Sequence, residues 1–207
     1  LPSAVQGVGA QGGPPSPPVD LVVCACVGGA VLFIGMLAAL HATAARGKGW
    51  VGEGAVVDGV SYLMSMTYRG LNQGTWIDER GSNGLDGGAP HYRTYECSDG
   101  KYVAVGPIEE PFYQALLKGL DLADIPPRSD RANWPALHSL FEQTFATRTR
   151  DEWAEHFHNS DACVTPVLSL AEAPRDPHMV ARSVFTDTPE GKEPSPAPRL
   201  SRTPPHA

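Results

Sequence analysis

Two adjacent carboxylates, Glu109 and Glu110, follow a short apolar run and precede a helix-like segment that begins at Pro111. Proline suits the first turn of a helix, because the N–H group that it lacks has no partner there. A carboxylate at a helix N-terminus is stabilised as the anion by about 0.3–1 kcal/mol. A carboxylate held at this point can act as a general base, and it can equally cap the helix. The residues alone leave both roles open.

The segment before these carboxylates has the pattern of a β-hairpin. Two runs rich in Tyr and Val, His91–Cys97 and Lys101–Gly106, flank the turn residues Ser98-Asp99-Gly100. Glycine supplies the positive φ that such a turn requires. A glycine-rich loop at residues 81–90, with the sequence GSNGLDGGAP, leads into the first run. The hairpin is therefore expected to carry the chain from this loop to the two carboxylates.

Other residue types that could do chemistry lie in the loop and in the helical segments. Asp86 is expected to hold the loop through turn hydrogen bonds more than to react. His156 and His158 resemble a metal-binding pair, but ligands on one helix prefer i, i+4 spacing, so a solvated face and no metal are predicted. The four cysteines fit neither a zinc site nor a secreted disulfide scaffold, and free thiols in a reducing compartment are expected.

The composition and the chain ends limit the class of partner and the location. The formal net charge is −7 and no basic patch interleaved with aromatic residues is visible, so nucleic acid is not an expected partner. A start at Leu1 predicts a fragment or a processed product. No secretory signal is visible, and Pro205-His206-Ala207 is not a peroxisomal tripeptide. An intracellular location is expected, mitochondrial or peroxisomal in a eukaryote and cytoplasmic in a bacterium.

An uncharged apolar stretch at residues 21–40 leaves two alternatives open. About 20 apolar residues are long enough to span a bilayer as a helix. The same stretch can instead form a helix buried in a soluble core, where its glycines allow close packing. Arg46-Gly47-Lys48-Gly49 is expected to end this helix in either case.

Apolar residues at helical spacing predict most of the remaining elements. Helices are expected at 111–120, 134–148 and 150–159, with a short strand at 162–168 and a helix at 177–184 that Asp176 caps. Residues 52–75 predict a short strand or turn followed by a helix. Its interior residues are expected to be Val56, Val57, Val60, Leu63, Met64 and Met66.

The sequence resembles the family III CoA-transferases, and among them the α-methylacyl-CoA racemase branch. The resemblance covers residues from about 47 to 203, in the segments GKGWVGEGAVVDG, LDGGAP, YVAVG-x-IE and SDACVTPVLSLAEAPRDPHMVARSVF. The stretch 21–40 also aligns, as the helix that follows the family's catalytic Asp-containing turn, and a membrane is therefore not an expected partner. Runs of this length in the same order are highly specific.

The resemblance implies an α/β protein with part of the family III CoA-transferase fold. A small α+β domain is expected at residues 79–187, and a helical remnant of a Rossmann-like, CoA-binding large domain at 19–78. Residues 1–18 are rich in Gly and Pro and predict a disordered arm, and residues 188–207 predict a Pro-rich extended tail. Two subunits are implied to interlock as a homodimer.

The implied chemistry is inversion of the carbon beside the carbonyl of a 2-methylacyl-CoA thioester. One base removes the α-proton, an enolate-like species forms, and a proton returns to the other face. The family's small-domain Glu matches Glu109; Glu110 stands where the family has Pro and stays the alternative base. Acyl-CoA is the substrate and no cofactor is implied. The implied substrate-binding residues are Tyr92 in the acyl pocket and Asp86, Gly87 and Gly88 in the loop.

The chain differs from the family in the residues that would act on the opposite face of the substrate. The family's catalytic Asp position falls on Cys24, and its catalytic His would precede Leu1. The chain by itself is therefore expected not to racemise. Two alternatives stay open: a CoA-transferase of the same superfamily, whose Asp nucleophile lacks a good counterpart here, and an inactive truncated paralogue that acts as a dimerisation or membrane-anchored module.

Overall fold

The computed structural model of the chain describes residues 28–203. One compact unit ends at Thr165 and a second begins at Pro166. Cys24 and the predicted arm at residues 1–18 lie outside the described residues, and the predicted domain bounds stay predictions. The helices and strands of residues 28–203 are α1 (Gly28–Arg46), α2 (Val56–Leu63), α3 (Ser65–Gln73), β1 (Arg93–Glu96), β2 (Tyr102–Val105), α4 (Glu110–Gly119), α5 (Trp134–Phe145), α6 (Arg150–His156), β3 (Val164–Pro166), α7 (Pro177–Ala181), β4 (Phe185–Thr188) and β5 (Gly191–Pro194).

The predicted hairpin is confirmed. Strands β1 and β2 pair in antiparallel register, with Arg93 opposite Val105 and Glu96 opposite Tyr102. Gly100 in the connecting turn has a φ of 72°. Val103 and Val105 are buried and Tyr102 is exposed, so one face of β2 packs inward, as an alternating strand pattern requires. The hairpin is joined by β3 in a three-stranded sheet of order β1-β2-β3.

The core of the first unit joins this sheet to helices α4, α5 and α6. Tyr95 of β1 stacks on Phe145 of α5, with ring centroids 5.1 Å apart, and Phe145 meets Trp153 of α6 edge to face at 5.2 Å. Trp153 also donates its indole N–H to the Phe145 carbonyl at 2.8 Å. Aromatic side chains dominate core energetics because each buries about 150–250 Å². The three predicted helices are confirmed in this core.

Helix α1 ends where the sequence predicted. The Gly47 N–H donates to the Thr43 carbonyl at 2.7 Å, and Gly47 has a φ of 69°, which glycine adopts readily. The segment Gly29–Arg46 is long and apolar enough to cross a membrane, a property that core helices of soluble proteins and signal sequences share. None of this segment is buried. The prediction of a helix buried within this chain is therefore wrong for the described part of residues 21–40.

Helices α2 and α3 also expose residues that the sequence analysis placed inside. Among the expected interior residues Val60 is buried, with 1% of its surface exposed, but Val57, Leu63 and Met66 are more than half exposed. An apolar pattern identifies a face that avoids water, but it does not supply the element that covers that face. The prediction of a buried interior at 52–75 is therefore confirmed for Val60, while Met64 is half-buried. It is wrong for the four exposed residues Val56, Val57, Leu63 and Met66.

The second unit contains α7 and a two-stranded sheet. Asp176 caps α7 as predicted, because its carboxylate accepts from the Met179 N–H at 3.0 Å. Strands β4 and β5 pair in antiparallel register, with Thr188 opposite Gly191. The sequence analysis did not predict this hairpin, because the prolines around it favour extended chain.

Candidate active site

Asp86 is the centre of the 81–90 loop. Its carboxylate accepts hydrogen bonds from the backbone N–H groups of Gly81 at 3.0 Å, Asn83 at 2.9 Å and Gly88 at 3.0 Å. The Asn83 side chain donates to the same carboxylate at 2.9 Å, and Asn83 itself is 1% exposed. This geometry matches the expected loop-holding role, since the carboxylate satisfies several backbone donors at once. As a substrate-binding residue Asp86 stays a prediction.

Gly87 and Gly88 are required by the loop for two different reasons. Gly87 has a φ of 87°, a conformation that residues with a Cβ rarely adopt. A Cβ on Gly88 would lie 2.6 Å from the Gly81 carbonyl oxygen and 2.7 Å from the Asn83 nitrogen. The two glycines therefore allow the loop to fold tightly around Asp86.

Side chains of the core hold this loop in place. The Tyr95 hydroxyl donates to the Pro90 carbonyl, and His138 Nε2 lies 2.8 Å from the Gly88 carbonyl oxygen. Arg93 donates to His138 Nδ1 at 2.7 Å. Because arginine is always a donor, Nδ1 accepts and Nε2 carries the ring proton. Burial, assisted by the Arg93 charge, lowers the pKa of His138 and favours this neutral tautomer.

A cleft of about 480 Å³ lies between the loop and the sheet. Tyr92 stands at its side and packs near Gly106, since a Cβ placed on Gly106 would lie 3.9 Å from the Tyr92 ring. Concave sites with few polar groups are typical binding sites for small molecules. The cleft is lined by Leu85, Asp86, Gly87, Tyr92, Arg93, Thr94, Ala104, Val105, Gly106, Cys163 and Thr165.

Glu109 and Glu110 differ in their surroundings although they are adjacent. Glu109 is the N-cap residue of α4, but its side chain makes no capping hydrogen bond, so the capping alternative is wrong. Its carboxylate is exposed and has no hydrogen-bond or ion-pair partner among residues 28–203. Glu110, in contrast, accepts from Gln114 at 2.7 Å and from Arg128 at 3.0 Å. Both hydrogen bonds lower the pKa of Glu110, and the bond from Gln114 has the larger effect.

Arg128 and His91 both contact Tyr113 of α4. The Arg128 guanidinium sits 4.0 Å from the centre of the Tyr113 ring, and His91 meets the same ring edge to face at 5.8 Å. Burial, with a further contribution from Arg128, lowers the pKa of His91 to about 4. His91 is therefore neutral at pH 7. Its Nδ1 and the Tyr113 hydroxyl are buried without hydrogen-bond partners among the described residues.

Cys163 lines the cleft and lies within the electrostatic influence of the Glu109 carboxylate. Its carbonyl accepts from the Gly106 N–H at 3.0 Å, which fixes the end of β2. Burial, and after it the charge of the nearby Glu109 carboxylate, raises the pKa of the Cys163 thiol. The thiol is thus protonated at neutral pH and lines the cleft beside the unpaired carboxylate.

Three of the predicted site residues, Tyr92, Asp86 and Gly87, line the cleft. Gly88 and Glu109 are not among its lining residues, and Glu109 stands at the start of α4. The catalytic role of Glu109 stays a prediction. Arg128, His138 and Cys163 were missed. The sequence carried no signal for Arg128, because it lies 18 residues from Glu110 in a loop without periodicity.

Among residues 28–203, no three His, Cys, Asp or Glu side chains cluster as possible metal ligands. His156 Nε2 lies 2.8 Å from the Gly119 carbonyl oxygen, so its ring is engaged by the backbone.

The fold belongs to a known class of mixed α/β proteins. A CAIB/BAIF family protein from Brucella suis has a TM-score of 0.73 and 20% identity, over 98% of this chain and 55% of that structure. A protein from Mycobacterium tuberculosis has a TM-score of 0.66 and 16% identity, over 95% of this chain and 62% of that structure. The predicted fold class, part of the family III CoA-transferase fold, is confirmed.

Residues 3–206 match CoA-transferase family III, and the chain belongs to that family. It is 41% identical to an α-methylacyl-CoA racemase of Mus musculus and 37% identical to one of Homo sapiens, each over 99% of this chain. A CaiB/baiF CoA-transferase family protein of Caenorhabditis elegans is 33% identical over 90% of this chain. The chain spans about half the length of each of these relatives, since it covers 54% of each.

Proposed function

We propose that this chain supplies the Glu109 side of a two-base site that inverts the α-carbon of 2-methylacyl-CoA thioesters. One observation carries the proposal: the Glu109 carboxylate is unpaired among the described residues, whereas Glu110 is bound by Gln114 and Arg128. A general base needs an accessible lone pair within reach of the proton that it removes. The names of the mouse and human relatives support the substrate class.

In the proposed reaction the Glu109 carboxylate removes the α-proton of the thioester. The electron pair of the broken C–H bond moves into the carbonyl and forms an enolate. An acid on the opposite face then delivers a proton to the α-carbon, and the carbonyl re-forms with inverted configuration. In the reverse direction protonated Glu109 is the acid. No electron is lost and CoA stays attached, so the proposed chemistry needs no resident cofactor.

The opposite face needs a second acid/base group. The resemblance to the family implies that this second group is a His/Asp pair on the large domain. In this chain Cys24 occupies the position of that Asp. A thiol can titrate, but it does not orient a histidine as a carboxylate does. We therefore propose that Glu109 acts on a substrate held by another part of the assembled protein, in an interlocked homodimer.

A chimera tests the proposal, with this chain, carrying the substitution Cys24→Asp, in place of the segment that it matches in the mouse racemase. The chimera is incubated with a 2-methylacyl-CoA in D₂O, and deuterium at the α-carbon is measured by mass spectrometry. Loss of a general base costs about 10²- to 10⁴-fold, so Glu109→Gln should slow exchange by at least about 100-fold for the substrate enantiomer whose α-proton faces Glu109. Both enantiomers are therefore assayed separately. The matched control Glu110→Gln should change the rate by less than about threefold, since its neighbour is the base.

Two results would contradict the proposal: exchange that survives Glu109→Gln with both enantiomers of the substrate, or equal losses in the two variants. The 207-residue chain alone is a further control and is expected to give no exchange, because Glu109 is proposed to act on a substrate that another part of the assembled protein holds. This arm separates the chain's contribution from that of the rest of the chimera.

A second candidate is CoA transfer between an acyl-CoA and a free carboxylic acid. The match to CoA-transferase family III and the name of the Caenorhabditis elegans relative favour it. Transfer would exchange radiolabelled formate or oxalate into CoA thioesters and would leave the α-carbon undeuterated. The same chimera preparation therefore distinguishes the two reactions.

A further inference from the structure

Arg128 contacts the segment that carries Glu109 at three points. It donates to the Pro107 carbonyl at 2.8 Å and to the Ile108 carbonyl at 2.9 Å, and it forms an ion pair with Glu110 at 3.0 Å. Two of these acceptors precede Glu109 in the chain, and the third follows it. A planar guanidinium can bind such a set of acceptors at once, whereas a lysine ammonium is a point charge without this fork.

Arg128 is itself held from several sides. Its guanidinium lies over the Tyr113 ring at 4.0 Å, and its side chain is 14% exposed. The Trp134 indole N–H donates to the Arg128 carbonyl at 2.8 Å, so the backbone is fixed to the start of α5. The adjacent Pro127 carbonyl accepts from the Asn133 side chain at 3.0 Å. The arginine is therefore a rigid support and not a mobile surface charge.

The hydrogen bonds and the ion pair engage one of the two adjacent carboxylates and leave the other accessible. Glu110 is engaged by Arg128 and, one helical turn further on, by Gln114. Glu109 lies between the bonded carbonyl of Ile108 and the bonded side chain of Glu110, and its own carboxylate has no partner among the described residues. The backbone on both sides of Glu109 is thus fixed while its side chain is left available.

We infer that Arg128 is a positioning residue for Glu109: it fixes the 107–110 segment and withdraws Glu110, so that one of two adjacent carboxylates is presented to the substrate. This inference rests on the proposed function for its catalytic consequence. Its structural part, the fixing of the segment, can be measured in the 207-residue chain without any activity.

Hydrogen exchange of single backbone amides tests the structural part. The Tyr113 N–H donates to the Glu109 carbonyl at 3.0 Å and reports on the first turn of α4. In Arg128→Met this amide should exchange at least about tenfold faster, because the segment loses all three contacts. In Glu110→Gln it should change by less than about threefold, since the two carbonyl bonds remain. The Phe157 N–H, bonded to the Trp153 carbonyl at 3.0 Å, is the control for global unfolding and should not change.

Kinetics in the chimera test the catalytic part. Arg128→Met should lower kcat for α-proton exchange by at least about tenfold with KM changed less than about threefold, because the base is misplaced while the parts proposed to hold the substrate are unchanged. Arg128→Lys keeps the charge but not the fork, and should recover less than half of the lost kcat. It also provides a folded variant if Arg128→Met proves unstable.

The outcomes separate the inference from the proposed function. Unchanged Tyr113 exchange in Arg128→Met overturns the inference whatever the activity, and so does an unchanged kcat in an active chimera. Full activity in Arg128→Lys overturns it as well, since charge alone would then suffice. A chimera that is inactive with Arg128 intact, together with faster Tyr113 exchange in the variant, refutes the proposed function and the catalytic part but supports the fixing of the segment.

Discussion

The loop around Asp86 contains four glycines, and three of them differ in their tolerance of a methyl group. A Cβ on Gly84 meets no atom within 4 Å, and its φ is ordinary. A Cβ on Gly87 is equally free of contacts, but the residue has a φ of 87°. A Cβ on Gly88 would collide with backbone atoms of Gly81 and Asn83 at 2.6 and 2.7 Å. Substitution of each by alanine therefore separates backbone strain from steric collision.

The magnitudes follow from these geometries. Gly84→Ala should leave the free energy of unfolding within about 0.5 kcal/mol of the parent value. Gly87→Ala should cost roughly 1–2 kcal/mol, the penalty of a left-handed backbone for a residue with a Cβ. Gly88→Ala should cost about 1–3 kcal/mol, as overpacking does. Asp86 holds the backbone N–H groups of Gly81 and Asn83, so the backbone of these two residues cannot move aside.

Urea denaturation of the three variants measures this order directly. For a chain of 207 residues each kcal/mol corresponds to roughly 2–4 °C in Tm, so Gly88→Ala should melt about 2–12 °C below the parent. Exchange of the Gly81 and Asn83 amides, which donate to Asp86, should rise in the same order. If Gly88→Ala is as stable as Gly84→Ala, the reasoning from close approach is refuted and the tight loop geometry is wrong.

Two further predictions concern pH and capping. Because burial lowers the pKa of His91 to about 4, the unfolded state binds more protons between about pH 6.5 and 4. Stability should therefore fall as pH is lowered through this window, and urea titrations should show a smaller fall for His91→Gln; equal slopes would contradict the assignment. Thr149 and Glu152 form a reciprocal capping box at the start of α6. Thr149→Ala should cost about 1 kcal/mol in the same assay, whereas the exposed control Thr147→Ala should stay within about 0.5 kcal/mol, and similar values would rule out the cap.

Local patterns in the sequence were sufficient to predict much of the fold. The two runs rich in Tyr and Val and the Asp99-Gly100 turn predicted the hairpin, because both signals act over a few residues. Pro111 predicted the start of α4, and it lies in the first turn as expected. The fold class followed from long ordered segments such as LDGGAP and YVAVG-x-IE, which the structural comparisons bear out.

Burial was predicted less well than helix formation. Val57, Leu63 and Met66 lie on helices as expected but are more than half exposed, and α1 is not buried. Periodicity reports which side of a helix is apolar, whereas burial depends on which other surface packs there. A short-range pattern holds no information about that surface.

The sequence by itself determined that two carboxylates stand at the junction of a strand and a helix, next to a glycine-rich loop. It left open which of them is available and whether either caps the helix. The tertiary structure decided both, because Arg128 arrives from 18 residues away and binds Glu110 and the carbonyls before Glu109. The physical reason is that a carboxylate's role depends on the donors around it, and those donors come from parts of the chain that only folding brings together.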